Sequence, residues 1–311
     1  MNQIESNNNL FFKYQPVNKF FFENLSRNQL FFNNPRSFND PFDCRVFFYW
    51  EDTIEAAYYA FKDEIKSEER LQKFINRHSK GEKFIYDPIG DGSELSDDNL
   101  SPEEYAHLYQ KFLPLVYCFS KKELDTLMWS HYADYHKGVC LCFESTLTKD
   151  EKNEPEYNLT LDGSKETLCP VRYYEEVPNL VNWFDPNKQV KVNEILLRKL
   201  SIWEYEEEHR IILPRIKFGS EPIKKYRKEE LKSITFGLRM GSKDAEKIYN
   251  IVEREYLRKG INVDFYKAVE IIKDGKPTYS LRKEPLKRYE MINYIESLKN
   301  REDFIEAIKN E

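Results

Sequence analysis

Leu115-Val116-Tyr117-Cys118-Phe119-Ser120, then Leu127-Met128-Trp129-Ser130-His131-Tyr132-Ala133-Asp134, then His136-Lys137-Gly138-Val139-Cys140-Leu141-Cys142-Phe143 form the stretch that decides how this chain is read. Its flanks are short apolar runs of the kind that make buried strands, and Leu124 to Asp134 has helical spacing between them. The stretch is therefore expected as strand, helix, strand. Two of the five histidines and one of the four tryptophans fall inside it beside Tyr132, so scarce polar and aromatic residues crowd near the mouth of a sheet. A candidate site is expected there.

Outward from this unit the order of elements is interrupted. Leu10 to Tyr14 and Leu30 to Asn33 read as short strands around a helix-like stretch, Asn18 to Leu25. The segment Pro35 to Asp43 is dense in turn formers. From Thr53 to about Arg77 apolar residues recur at helical spacing, Asp87 to Pro102 reads as a loop, and Glu103 to Phe112 as a helix returning to the sheet. Beyond the central unit, strands are expected at Asn158 to Thr160, Pro170 to Tyr174, Ile211 to Leu213, Ile234 to Phe236 and Val263 to Ile272. Helices are expected at about Gln189 to Glu206 and at Asp244 to Lys259, and a charged helical tail from Pro285. Strands scattered in this way point to an α+β fold, a compact mixed and mostly antiparallel sheet decorated by inserted and C-terminal helices, and not to a doubly wound parallel sheet. The expected organisation is one domain over 10–280, with a helical insertion at about 53–112 and a tail over 281–311.

Composition excludes several classes. Forty per cent hydrophobic residues with 22 Phe and 21 Tyr exclude wholesale disorder. Basic and acidic residues are intermixed at a net charge of −6, so nucleic acid is not indicated as a partner. Met1 to Asn9 is polar, without a signal-peptide core, and no run of roughly 18 apolar residues could cross a membrane. A cytoplasmic protein is expected. Five cysteines, three of them in strand-like apolar runs, fit small buried hydrophobes in a reducing compartment.

Four separated motifs occur in a recognisable order: Phe12-Lys13-Tyr14, Phe31-Phe32 with Ser37 to Asp43, Phe119-Ser120 to Gly138, and Trp203-Glu204-Tyr205-Glu206-Glu207-Glu208-His209-Arg210. Over Leu10 to Gly241 they resemble the bacterial domain-of-unknown-function family 2971, although Gln15 stands where that family commonly has arginine. A more distant resemblance is to ADP-ribosyltransferase folds. It implies NAD as substrate, with Lys13 and Tyr14 on the first strand, Ser120, Trp129 and Tyr132 in the middle, and a catalytic glutamate, Glu208 before Glu206, ahead of a late strand. It further implies that Tyr14, Tyr132 and Glu208 converge on one cleft.

The residues also have plainer readings. Met128 and Trp129 on a helix suit a core. His131 and His136 are five apart, which is wrong for one helical face, and no metal site is predicted. Asn39, Asp40 and Asp43 form a sound turn and cap signal. At strand period Glu206, Glu208 and Arg210 share a face. They read equally as a buried ion pair, with Lys199 as a further cation, or as a site in which crowding raises the pKa of Glu208. Three functions follow. The first is a toxin or defence effector that transfers ADP-ribose or hydrolyses NAD, with Glu208, Glu206 and His131 catalytic, Lys13 or Arg210 holding phosphate, and a regulatory partner or antitoxin. The second is a metal-dependent nuclease or phosphodiesterase using His131, His136, Glu206 and Glu208. The third is a non-catalytic module that senses a nucleotide or binds a protein.

Overall fold

The computed structural model describes residues 9–45, 47–50, 67–69, 72, 84–86, 114–150, 152–176, 180–182, 188–213 and 222–309. The central sheet has eight strands, numbered along the chain as β1 (Leu10–Gln15), β2 (Leu115–Ser120), β3 (Val139–Glu144), β4 (Cys169–Pro170), β5 (Glu208–Leu213), β6 (Leu231–Phe236), β7 (Asp264–Lys273) and β8 (Lys276–Leu286). Their order across the sheet is β4-β5-β2-β1-β3-β6-β7-β8. Every neighbouring pair is antiparallel except β6 with β7. That parallel pair requires a crossover. It contains helix α4, Ser242–Glu255, the fourth of the described α-helices after α1 (Lys19–Ser26), α2 (Thr126–Tyr132) and α3 (Lys188–Ile195). The protein is thus a mixed α/β fold around a large, mostly antiparallel sheet.

Among the described residues the sheet separates two core clusters, which explains why its middle strands are apolar along their whole length. Val139, Leu141 and Phe143 of β3 face a large cluster that includes Phe11, Phe119 and Ile211, together with α1, α4 and the last helix, α5 (Met291–Lys309). Cys140 and Cys142 face a smaller cluster with Phe12, Tyr14, Met128 and Trp129. Helix α2 covers this second face. Asp125 caps it, accepting from the amides of Leu127 and Met128 at 2.9 and 3.0 Å.

The helix ends in three consecutive left-handed residues, Asp134, Tyr135 and His136. This reversal presses the chain onto β1 and β6. A Cβ at Gly138 would stand 2.2 Å from the Gln15 carbonyl oxygen, and backbone on both sides leaves nothing flexible to yield. Gly138→Ala is expected to destabilise the fold by on the order of 3 kcal/mol, read as a shift of the denaturation midpoint. An unchanged midpoint would mean that this corner is far looser than its packing indicates.

Two expectations need revising, and one lies mostly outside what is described. The helix expected over Gln189 to Glu206 is α3 alone; Arg198–Leu200 then forms a strand parallel to Arg172–Tyr174, and Ser201–Glu206 is a 3-10 turn. Leaving the helix turns Lys199 and Glu206 into one buried cluster, and that pairing outweighs the small helical preferences of the segment. The tail expected from 281 begins as strand. β8 runs to Leu286 and pairs with β7 through an Asp274-Gly275 turn with both residues at positive φ. Nor does the remainder hang free, because Met291, Ile295 and Leu298 of α5 join the large core. The helical insertion at 53–112 falls mostly outside the described residues, which include there a short strand, Phe84–Tyr86, paired with Phe47–Trp50.

Candidate functional site

Between β1 and β2 the sheet comes apart. β1 pairs with β3 over six residues, but with β2 only at Phe12 opposite Ser120. On either side of that pair a lysine bridges the gap. The Lys13 side-chain nitrogen donates to the Cys118 carbonyl at 2.9 Å, and Lys121 donates to the Leu10 carbonyl at 3.0 Å. The side chains thus satisfy carbonyls that a continuous ladder would have bonded to strand amides. The split opens into a cavity of about 300 Å³. Tyr14, Tyr132 and Glu208 all line it, and Glu206, Lys13 and His131 line it as well.

One wall is a buried charge cluster. Glu206 and Glu208 are 3 % and 4 % exposed, and Arg210 is fully buried. Alternation along the chain brings these three side chains together, although Glu206 ends the 3-10 turn and Glu207 has a left-handed backbone. Glu207 points outward to Lys122, at 2.8 Å. Arg210 grips both oxygens of Glu208 at 2.7 and 2.9 Å, and it also donates to Asp43 and to the Leu196 carbonyl, each at 2.6 Å. Lys199 donates to Glu206 at 2.5 Å and to Glu208 at 3.0 Å, and stands 3.6 Å from Asp43. The Tyr132 hydroxyl donates to the other oxygen of Glu206 at 2.6 Å.

The two glutamates are driven in opposite directions. Burial raises the pKa of Glu206, and the charge of Glu208 adds to the rise against the pull of Lys199. Burial also acts to raise Glu208, but Arg210 and Lys199 outweigh it and hold this carboxyl well below the usual range. The rise expected for Glu208 therefore belongs to Glu206, because the bidentate arginine sits on Glu208.

Other expected roles are displaced too. Arg210 has its donors committed inside the protein and does not line the cavity, so it is no phosphate-binding cation. Trp129 is 0 % exposed; it donates to the Glu123 carbonyl and packs edge-on against Tyr14, as a core residue would. Ser120 lines the cavity but is engaged, donating to the Glu206 carbonyl at 2.6 Å and accepting from the Lys122 amide. It fixes the turn that carries Glu206. The Tyr14 hydroxyl donates to the Lys122 carbonyl. His131 is exposed, with its ring edge-on to Tyr132 and Trp203. His136 lies elsewhere, stacked on Trp129 and within 3.3 Å of the Ser130 hydroxyl, so the four-residue nuclease cluster is not assembled. Among the described residues no group of three or more His, Cys, Asp or Glu side chains is placed to hold a metal ion, and no helix is long and apolar enough to cross a membrane.

Asp43 is the member of the cluster that sequence reading missed. Its turn is real, with the Asp43 amide on the Asp40 carbonyl and the Phe42 amide on the Asp40 side chain. The side chain nevertheless serves Arg210. Its place within the Ser37 to Asp43 motif was the signal available.

On the opposite face of β5, His209 packs against Phe11 at 5.1 Å. Burial, with Lys121 nearby, holds its pKa down to about 4 from the usual 6.5. Between those values the unfolded chain binds a proton that the folded one refuses, so stability falls as pH falls from about 6.5 to about 4. Denaturation midpoints measured across this range are expected to show the slope, and His209→Phe to remove most of it.

No curated protein and no solved structure matches the chain, and nothing in the comparisons supports the likeness to ADP-ribosyltransferases. Residues 128–211, which hold most of α2, Lys199, Glu206, Glu208 and Arg210 but neither Lys13 nor Asp43, match the family described as Protein of unknown function (DUF2971), a narrower span than the four motifs covered.

Proposed function

We propose that the split in the sheet is an active site that cleaves the N-glycosidic bond of NAD, with Glu206 as the reacting carboxylate. The observation that carries this reading is the divergence of Glu206 and Glu208 within one cavity, since carboxyls pushed apart in pKa are how one site supplies both a proton-transfer group and a fixed negative charge. About 300 Å³ is at the small end of the ~300–1,000 Å³ usual for ligand sites and suits the nicotinamide–ribose half of the dinucleotide, with the adenylate outside. Phe12, Tyr117 and Tyr132 supply aromatic walls.

In the reaction, the bond from the ribose C1′ to the pyridinium nitrogen breaks, and its electron pair neutralises the nicotinamide. The positive charge left on the ribose faces the carboxylate wall. Water, or the hydroxyl of an acceptor, adds to C1′ and gives its proton to Glu206, whose raised pKa makes it a stronger base than an ordinary glutamate. Consumption of NAD would arrest a cell, which is the sense in which the protein is read as a bacterial toxin or defence effector.

The test is purified protein with NAD, following free nicotinamide by chromatography. Turnover is expected, with a rate that rises with pH along a limb above pH 4.5, the ordinary glutamate value. NAD binding without nicotinamide release would favour the sensing module, and neither binding nor release would end the NAD reading.

A further inference from the structure

Among the described residues two amines line the cavity, and their surroundings differ in kind. Lys199 lies within 3.6 Å of three carboxylates, Asp43, Glu206 and Glu208. Burial opposes its charge, but those three outweigh it and keep it an ammonium. Lys13 has no ion-pair partner within 4.0 Å among the described residues. It donates to one carbonyl, that of Cys118, and lies 4.5 Å from the centre of the Tyr117 ring. It is on β1, in the middle of the split, where the missing ladder leaves room beside the strand.

We propose that Lys13 is a reactive amine that captures small aldehydes or ketones entering the cavity as an imine. A desolvated lysine without a counter-ion is the environment in which proteins make amine nucleophiles. In the capture, the amine lone pair adds to the carbonyl carbon, and a proton passes from nitrogen to the former carbonyl oxygen. Loss of one water then leaves the carbon–nitrogen double bond. The step needs no oxidant or reductant. Departure of the hydroxyl needs a proton, which solvent at pH 7 supplies.

The groups that act on Lys13 come from several elements: Cys118 of β2, Glu208 of β5, Glu206 of the 3-10 turn, and Lys199 of the strand that precedes that turn. Burial lowers its pKa, and Lys199 adds to the fall, while Glu208 and Glu206 oppose it. The Cys118 thiol is itself pushed far up by burial and carries no charge near neutrality. The inference goes beyond the NAD reading and does not depend on it, because neither NAD nor its cleavage enters.

The experiment uses the unaltered full-length chain, glyceraldehyde as probe and cyanoborohydride to reduce any imine, at pH 7, with labelled lysines located by peptide mass spectrometry. Lys13 is expected to be labelled at least about tenfold faster than the exposed Lys165 and Lys276, with its advantage shrinking as pH rises. Labelling of Lys13 no faster than these two at pH 7 would overturn the proposal. So would no labelling at all, since the cavity would then admit no carbonyl compound to the amine. Because the readout is position-resolved on the unaltered protein, no folding defect of a variant enters it.

Discussion

Arg210→Met is expected to destabilise the protein by about 3–5 kcal/mol, enough to leave much of it unfolded or insoluble at growth temperature. The guanidinium is fully buried and is gripped by Glu208 and Asp43, with the Leu196 carbonyl as a further acceptor. Methionine fills similar volume, so packing loss is minor. What remains is three buried carboxylates, Asp43, Glu206 and Glu208, sharing Lys199, and stranding a buried charge costs more than losing the pair as a whole. The decisive control is Arg210→Met combined with Asp43→Asn and Glu208→Gln, which removes the stranded charges and is expected to recover part of the loss. Denaturant midpoints would measure both. If the triple variant is no more stable than the single, the cluster holds the fold through shape and not through charge balance.

Glu206→Gln is expected to lower NAD turnover by roughly 10²–10⁴-fold while leaving the melting temperature within a few degrees. Glutamine, turned so that its oxygen accepts from Lys199, presents its amide NH2 to the Tyr132 hydroxyl oxygen, which can accept, so the shape of the site survives. It cannot accept the proton of the incoming water. Glu208→Gln should behave in the opposite proportion: Arg210 loses its bidentate partner, and stability falls first. Kinetics and thermal melts on the two variants therefore separate a site from a structural ion network. A network alone predicts two destabilised proteins and no change in any reaction.

The central strand–helix–strand unit was legible because its apolar period is unambiguous, and the antiparallel sheet followed from the scatter of the other strands. β8 was also legible and was not read. Asp274-Gly275 is a strong hairpin signal, but Lys276 to Leu286 is too polar, with prolines at 277 and 285, to look like a strand by period. The site divides in the same way. Glu206, Glu208 and Arg210 were found together because they alternate along one short segment. Lys199 was in view only as a further cation, and Asp43 was read as a turn residue, which it is. Nothing local in sequence shows that a turn near residue 43 will be bolted to a strand near residue 210. Which of two adjacent glutamates rises in pKa depends on where one guanidinium sits, and that is a property of the folded arrangement.

The two lysines that bridge β1 and β2 have a mechanical consequence. A continuous ladder opens only by breaking a row of backbone hydrogen bonds in concert. Here the halves of the sheet are joined by a single residue pair and by side-chain tethers, from Lys13, Lys121, Tyr14 and Gln15, each a hydrogen bond of roughly 0.5–1.5 kcal/mol. A seam laced by side chains gives up less when one bond parts than a ladder would, and what holds it shut is the packing behind it, where Phe11 lies 6.4 Å from Phe119 and 5.1 Å from His209.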